Sequence, residues 1–354
     1  MTVFQVNGRR LIKGKPTYFI ADIAANHDGD LQRAKDLIYL SKEAGADCAK
    51  FQHFEAKSIV SDYGFRRLEN ITTHQSSWEK PVSEIYDQYH TKREWDQELI
   101  NTCKSADIDF MTTPYNLEAI DYFKEHMPAF KIGSGDITNL PLLEAVERTG
   151  MPVFLATGAA TIEEVSEAMA LFENSAVCLM QCNTNYTGSL ENFRFVNLNV
   201  LKSFETKFPK IVLGFSDHTP GHSAVLGAVA LGAVAIEKHF TDDNARVGPD
   251  HSFALNKKSW REMVDRTREL ELSLGDGVKR IEENEKNTII VQRRSIRAKS
   301  ELKKGKKLEG SDFEFLRPCE TDSITPMNYK DIIGRTLNKD IKRGSSIKWI
   351  DLGD

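Results

Sequence analysis

The chain has 354 residues, more than one average domain but suited to a barrel of about 250 residues with a small appendage. Its 40% apolar and 28% charged residues describe an ordinary globular protein, and a net charge of −5 supplies no basic surface for nucleic acid or membrane. No apolar run approaches the length of a membrane span, and residues 1–6 lack the basic-then-apolar pattern of a secretory leader. Five scattered cysteines (Cys48, Cys103, Cys178, Cys182, Cys319) are odd in number and read as free thiols, which suits a cytoplasmic protein.

In chain order, Phe4–Val6, Asn7-Gly8 and Leu11–Ile12 predict a hairpin, because Asn-Gly suits a type I′ turn; it would close one end of a barrel. Strands are expected at 17–22, 47–52, 108–113, 129–134, 152–157, 177–182, 211–215 and 233–238. Helical patterns lie between and after them at 31–44, 93–106, 117–126, 139–149, 161–173 and 256–274. Short apolar strands alternating with helices are parallel, and eight of them make a closed (β/α)8 barrel over residues 1–275. The long segment 54–92 is expected to be a functional loop over the mouth. Residues 276–290 are charged and read as a linker. Beyond it, residues 291–354 carry a degenerate repeat: Leu302-Lys303-Lys304-Gly305 followed by Leu308, then Ile341-Lys342-Arg343-Gly344 followed by Ile347. That tail is expected to be a small β-rich module, too small to bury much core by itself.

The apolar runs Ile211–Phe215 and Ala233–Ile236 are each followed within three residues by a histidine, His218 and His239. Adjacent parallel strands would set these two imidazoles side by side at the barrel mouth, a pattern that suits a divalent transition ion with open positions. Lys50 and Lys131 interrupt apolar strands, so each needs a counter-charge: either strand-end Asp residues or a bound anion. Thr113, Ser134 and Ser216 at comparable strand ends offer hydroxyl donors for such an anion. Lys→Met, being nearly isosteric, is expected to leave stability unchanged or better at both lysines. Asp22, Asp136 and Asp250 complete the cluster, each equally explicable as a cap or turn residue; His27 reads as a loop contact or a site residue. No P-loop or GxGxxG pattern supports a nucleotide cofactor.

The motifs AxxAxNHDG (21–29), GADCAKFQ (45–52), TTPY (112–115), KIGSGD (131–136), GFSDHT (214–219), EKHFT (237–241) and GPDHSFALN (248–256) resemble those of bacterial sialic acid synthases, with their legionaminic and pseudaminic relatives. The tail resembles the antifreeze-like (SAF) domain of the same enzymes. The resemblance implies condensation of phosphoenolpyruvate with the open-chain aldehyde of an N-acylated hexosamine, giving a nine-carbon 2-keto-3-deoxy acid and phosphate. It implies Mn²⁺ or a similar ion on His218 and His239, and Lys50, Lys131, Thr113, Ser134 and Ser216 around phosphoenolpyruvate. Asp22 and Asp136 are implied as catalytic carboxylates alongside the two lysines. Gln52, Thr184, Tyr186 and Asp250 would meet the sugar and Tyr115 would line its path. Arg317 would reach the acyl group from the partner chain of a domain-swapped homodimer. Two positions depart from the family pattern, which usually has Glu where Asp22 and Asp136 stand, and Asn is often found at Thr184. The alternatives are a related condensation with another or a phosphorylated aldose, for which Arg66-Arg67 is the obvious cation pair, or a non-catalytic carbohydrate-binding protein.

Overall fold

A computed structural model describes residues 3–68 and 80–353. Part of the 54–92 segment therefore lies outside the described residues. The chain divides into two compact units, Met1–Gly275 and Asp276–Asp354.

Eight parallel strands build the first unit: β1 (Tyr18–Asp22), β2 (Cys48–His53), β3 (Asp109–Pro114), β4 (Phe130–Ile132), β5 (Val153–Ala156), β6 (Val177–Cys182), β7 (Val212–Asp217) and β8 (Ala233–Thr241). Hydrogen-bonded neighbours run β3-β2-β1-β8-β7-β6-β5-β4. The ladder is continuous except between β3 and β4, so the sheet is a nearly closed barrel, and a short strand, Leu255–Asn256, adds to the end of β8. The expected 129–134 strand is shorter than anticipated: Ser134–Asp136 turns into 3₁₀ geometry, releasing these side chains from the ladder. Strand β8 instead runs three residues past its expected end, so that His239 lies inside a strand. Each strand is buried almost throughout because both faces are covered, one by barrel interior and one by helices, and its amino-terminal part is mostly apolar.

Helices follow the 3.6-residue patterns closely. Leu31–Glu43 begins at Asp30, whose side chain accepts from the Arg33 N–H, and Ile162–Leu171 begins with a Thr161–Glu164 capping box. The longest, Lys257–Leu274, starts at an Asn256–Ser259 box and buries Trp260 edge-on to Phe240. Within 54–92, three short helices are described, Ala56–Ile59, Asp62–Phe65 and Val82–Tyr89.

Gln5–Val6 and Arg9–Arg10 form the predicted hairpin, with Asn7 at φ 44° and Gly8 at φ 76°, the two left-handed positions of its turn. It buries Phe4 against Phe154 (ring centroids 4.9 Å apart), which stacks in turn on Tyr18 (6.1 Å). The amino end of the barrel is thus plugged by aromatic packing.

In the second unit, Ser295–Ala298 pairs antiparallel with Phe313–Leu316. The internal repeat becomes physical here: Leu302 and Ile341, the first residues of the two copies, bridge each other, and Gly305 and Gly344 take matching left-handed turns (φ 84° and 77°). Both copies feed one small core that includes Leu302, Leu308, Ile341 and Ile347. The module therefore has a core of its own, more than its length led us to expect. The charged stretch 276–290 is also less linker-like than expected, since a helix spans Lys286–Gln292.

Phe154→Ala should destabilise the barrel by about 3–5 kcal/mol, the usual cost of emptying a buried aromatic site. Urea unfolding of the variant against the wild type measures it; a change below about 1 kcal/mol would mean the plug is not structural.

Candidate active site

The carboxyl ends of the strands gather an unusual density of buried charge. Lys50 on β2 and Lys131 on β4 project into the barrel, each 3% exposed or less. Between them lies Glu237 of β8, a residue that the sequence reading passed over. Its Oε1 is 3.3 Å from Lys50 Nζ in ion-pair contact and its Oε2 is 3.1 Å from Lys131 Nζ. Asp22, at the end of β1, makes a second pair with Lys50 at 2.9 Å. So the counter-charges are one expected Asp and one unexpected Glu. Asp22, though shorter than Glu, reaches the lysine directly.

Each shift has a physical cause. Burial pushes the Glu237 carboxyl upward, but Lys131 and Lys50 outweigh it and hold the group at about 2. Burial likewise lowers Lys50, and Asp22 with Glu237 more than reverse that, leaving it above the usual ammonium range. With two lysines against two carboxylates, the quartet carries no formal net charge.

Hydroxyls surround the quartet. Lys50 Nζ donates to Thr113 Oγ1 (3.4 Å), Ser216 hydrogen-bonds the Glu237 side chain, and Ser134 Oγ accepts from the Gly158 N–H (3.0 Å). Gly158 is obligatory: a Cβ there would meet Thr184 Cγ2 at 2.5 Å and Ser134 Oγ at 2.8 Å. Gln52 Nε2 donates to Asp22 Oδ2 at 3.2 Å.

The two histidines meet as their spacing predicts. Their ring centroids are 5.4 Å apart, with Tyr186 4.3 Å from His218 and 6.1 Å from His239. The Asn183 carbonyl lies 2.8 Å from His218 Nδ1 and can only accept, so Nδ1 carries the proton and Nε2 keeps a lone pair. Burial, followed by its neighbour His239, pulls His218 down to about 3, so it is a neutral donor. His239 Nε2 is 3.8 Å from Asp22 Oδ2 and its buried Nδ1 is 3.9 Å from Asp250 Oδ2, without a hydrogen-bond partner among the described residues. A buried, unsatisfied ring nitrogen beside a neutral imidazole fits a bound divalent ion. The protein's share would be those two nitrogens, because no group of three or more His, Cys, Asp or Glu side chains is arranged for a metal among the described residues.

Outside this cluster, a cavity of about 190 Å³ opens toward the mouth. One side is polar, with Gln52, Tyr115, Tyr186, His239 and Asp250. The other is apolar, with Phe54, Ile59, Ile85 and Pro249, and Tyr86 and Tyr89 between. None of its described lining residues is Lys or Arg, and residues 69–79 contain neither in sequence. Arg66 and Arg67 are exposed, Arg67 lying over the Tyr63 ring.

Other expected residues fall less centrally. Asp136 is half-buried on the 3₁₀ turn; burial raises its carboxyl against a hydrogen bond from Asn139. It is near enough to Tyr115 to help raise that phenol, after burial itself. Thr184 packs beside Gly158 and Ser134. His27 is a loop contact: wholly buried, its Nδ1 accepts from the Gly29 N–H (3.1 Å) and its ring meets Trp95 edge-on. Arg317 belongs to the second unit, exposed, with Nε donating to the Gln292 carbonyl at 2.6 Å. The residues missed are Glu237, Cys182 and Phe253. Cys182 Sγ is 3.9 Å from His218 Nδ1, and Phe253 packs edge-on to His239 at 5.0 Å. Glu237 could have been found by the rule that singled out the lysines, a charge inside an apolar strand.

A parallel barrel with a buried charge cluster at the carboxyl ends of its strands is the architecture of a barrel enzyme. Comparison with known proteins makes this specific. Residues 37–279 match the NeuB family and residues 293–353 the SAF domain, and the chain belongs to the NeuB family. It is 34% identical to the N,N'-diacetyllegionaminic acid synthase of Campylobacter jejuni, over 94% of this chain and 99% of that one. It is 33% identical to the N-acetylneuraminate-9-phosphate synthase of Homo sapiens, over 75% and 73%. Among solved structures, the Bacillus subtilis spore coat polysaccharide biosynthesis protein spsE matches with TM-score 0.64 and 29% identity, covering 100% and 99% of the two chains. The N-acetylneuraminic acid synthetase of Leptospira borgpetersenii matches with TM-score 0.70 and 26% identity, covering 81% and 95%. The protein is an enzyme, a synthase of the nonulosonic and sialic acid class.

The shared Glu237 revises the expectation for the lysines. Lys131→Met should cost about 3–5 kcal/mol, because it leaves buried Glu237 with half its compensation. Lys131→Met combined with Glu237→Gln should recover most of that loss in the same urea titration. A single variant as stable as wild type would show that Glu237 does not depend on Lys131.

Proposed function

We propose that the enzyme condenses phosphoenolpyruvate with the open-chain aldehyde of an unphosphorylated, N-acylated hexosamine. In that reaction C3 of phosphoenolpyruvate bonds to the aldehyde carbon, water adds at C2, and phosphate leaves with the C2–O bond, giving a nine-carbon 2-keto-3-deoxy acid. The observation that carries the reading is the neutral quartet Lys50, Lys131, Glu237 and Asp22 beside two histidines of which His218 is held neutral. Lys50 and Lys131, with Thr113, Ser134 and Ser216, hold the carboxylate and phosphate. The quartet has no surplus positive charge, and a neutral imidazole adds none, so a buried polyanion needs a further cation. Mn²⁺ or a similar divalent ion on His218 and His239 meets that need, and when bound it polarises the aldehyde oxygen as a Lewis acid. Asp22, fixed by Lys50 and Gln52, faces the reacting centre with Oδ1 without a hydrogen-bond partner among the described residues, placed to accept a proton from an acceptor hydroxyl or water. Asp136, its carboxyl raised by burial, is the second candidate acid or base near Tyr115.

Acceptor chemistry follows from the mouth cavity. Gln52, Tyr186 and Asp250 suit a row of hydroxyls, and the Ile59–Ile85 wall suits an acyl or deoxy carbon; Thr184 sits beside Ser134, between the sugar and the anion-holding hydroxyls. The lack of a cation among its described lining residues supports an acceptor without phosphate. Phosphate release from phosphoenolpyruvate, assayed with Mn²⁺ and a panel of N-acylhexosamines and their 6-phosphates, tests this. Turnover is expected with unphosphorylated sugars only, and it should fall at least about 100-fold in His218→Ala and His239→Ala. Full turnover of either variant in chelator-treated buffer overturns the ion's role, and preference for a 6-phosphate overturns the acceptor.

We further propose a two-fold homodimer in which the partner subunit's Arg317 completes each acceptor site, its fork hydrogen-bonding the N-acyl oxygen. An exposed arginine whose Nε is held by Gln292 supports this. Inactive Arg317→Ala and His239→Ala chains should regain about a quarter of wild-type activity per site after subunits exchange at equal ratio, as random pairing requires. No recovery with exchange confirmed places Arg317 outside a partner's site.

A further inference from the structure

We propose that the buried Lys238–Asp217 ion pair is a positioning clamp that sets the spacing of His218 and His239 from the opposite face of their strands; it rests on the reading of those histidines as ion ligands. Side chains alternate along a strand, so Glu237 and His239 face the barrel interior while Lys238 faces the helix layer. The register places Asp217 opposite Lys238 across the β7–β8 ladder, and Ser216 opposite Glu237. Asp217 and Lys238 are 2% and 1% exposed.

The contacts form a closed ring. Lys238 Nζ donates to Asp217 Oδ2 at 2.6 Å and also to the Thr219 carbonyl. Asp217 Oδ1 accepts from the Thr219 N–H at 2.8 Å, and Oδ2 accepts from Thr219 Oγ1 at 3.1 Å. Residues on both sides of His218 are therefore tied to the residue immediately before His239. Parallel ladder bonds alone leave neighbouring strands some freedom to slide and twist. A charge pair that also grips the backbone at Thr219 removes that freedom where two ring nitrogens must converge on one ion.

Stability alone does not account for the pair. A buried ion pair returns about as much as its desolvation takes, and an apolar pair of the same volume is often as stable or more so. Its distinct contribution is directional: the short, charge-assisted bonds accept one geometry, whereas apolar side chains accept many.

The test is the double variant Asp217→Leu/Lys238→Met, which removes both charges and leaves neither unpaired. Three quantities are read: the thermal midpoint, the His218–His239 ring separation in a crystal structure, and the Mn²⁺ affinity by calorimetry on chelator-treated protein. The expected result is an unchanged or raised midpoint, a ring separation displaced from 5.4 Å or split between conformers, and Mn²⁺ binding weakened at least about tenfold. A folded double variant with wild-type separation and wild-type Mn²⁺ affinity overturns the clamp. Should the double variant not fold, Thr219→Val decides. It deletes one bond of the ring and keeps the ion pair, and it should weaken Mn²⁺ binding about threefold; unchanged affinity and separation there overturn the clamp equally. Wild-type protein that binds no Mn²⁺ would instead refute the histidines' role as ligands, and the ring separation would still judge the clamp on its own.

Discussion

Glu237 is the constraint on which the catalytic end of this barrel depends. Two ammonium groups inside apolar strands repel each other and lose their hydration, and either alone would cost several kcal/mol. One carboxylate between them, 3.1 and 3.3 Å from the two nitrogens, makes both tolerable. Asp22 then balances the sum. Because β8 carries Glu237 and pairs with both β1 and β7, the same strand fixes the charge balance and delivers His239.

That arrangement explains why the site is both rigid and receptive. Neutral overall, it survives burial without a ligand. Yet its lysines exchange partners readily in principle, since an incoming phosphate or carboxylate offers oxygens equivalent to those of Glu237 and Asp22. The histidines contribute lone pairs and, in the case of His218, no charge. The ammonium pair and the histidine lone pairs thus set donors for an anion beside donors for a cation. The aromatic and aliphatic cavity wall beyond it faces a polar side of hydroxyl, amide and carboxylate groups.

Much of this was legible in the sequence. Alternation of short apolar runs with helical patterns is enough for a parallel barrel, because a strand covered on both faces reads as a near-continuous apolar run. Histidines at equal offsets from consecutive strands must come together, since parallel neighbours share direction and register, and they do at 5.4 Å. The Asn-Gly turn and the duplicated Gly-centred turn of the tail were equally local, each specified by backbone preferences of a few residues.

Which charges pair was decided only by the tertiary structure. Lys50, Lys131 and Glu237 are far apart in the chain, and nothing in their neighbourhoods names the partner; the barrel's curvature converges side chains from β2, β4 and β8 on one point. The same holds for the apolar wall supplied by the 54–92 segment, and for Lys238 and Asp217, which look like surface charges until both strand faces are seen to be covered. Residue type and spacing determine what a segment can become, because those forces act over a few residues. Pairing of buried charges depends on distance through space and on lost hydration, and neither exists until the chain has closed.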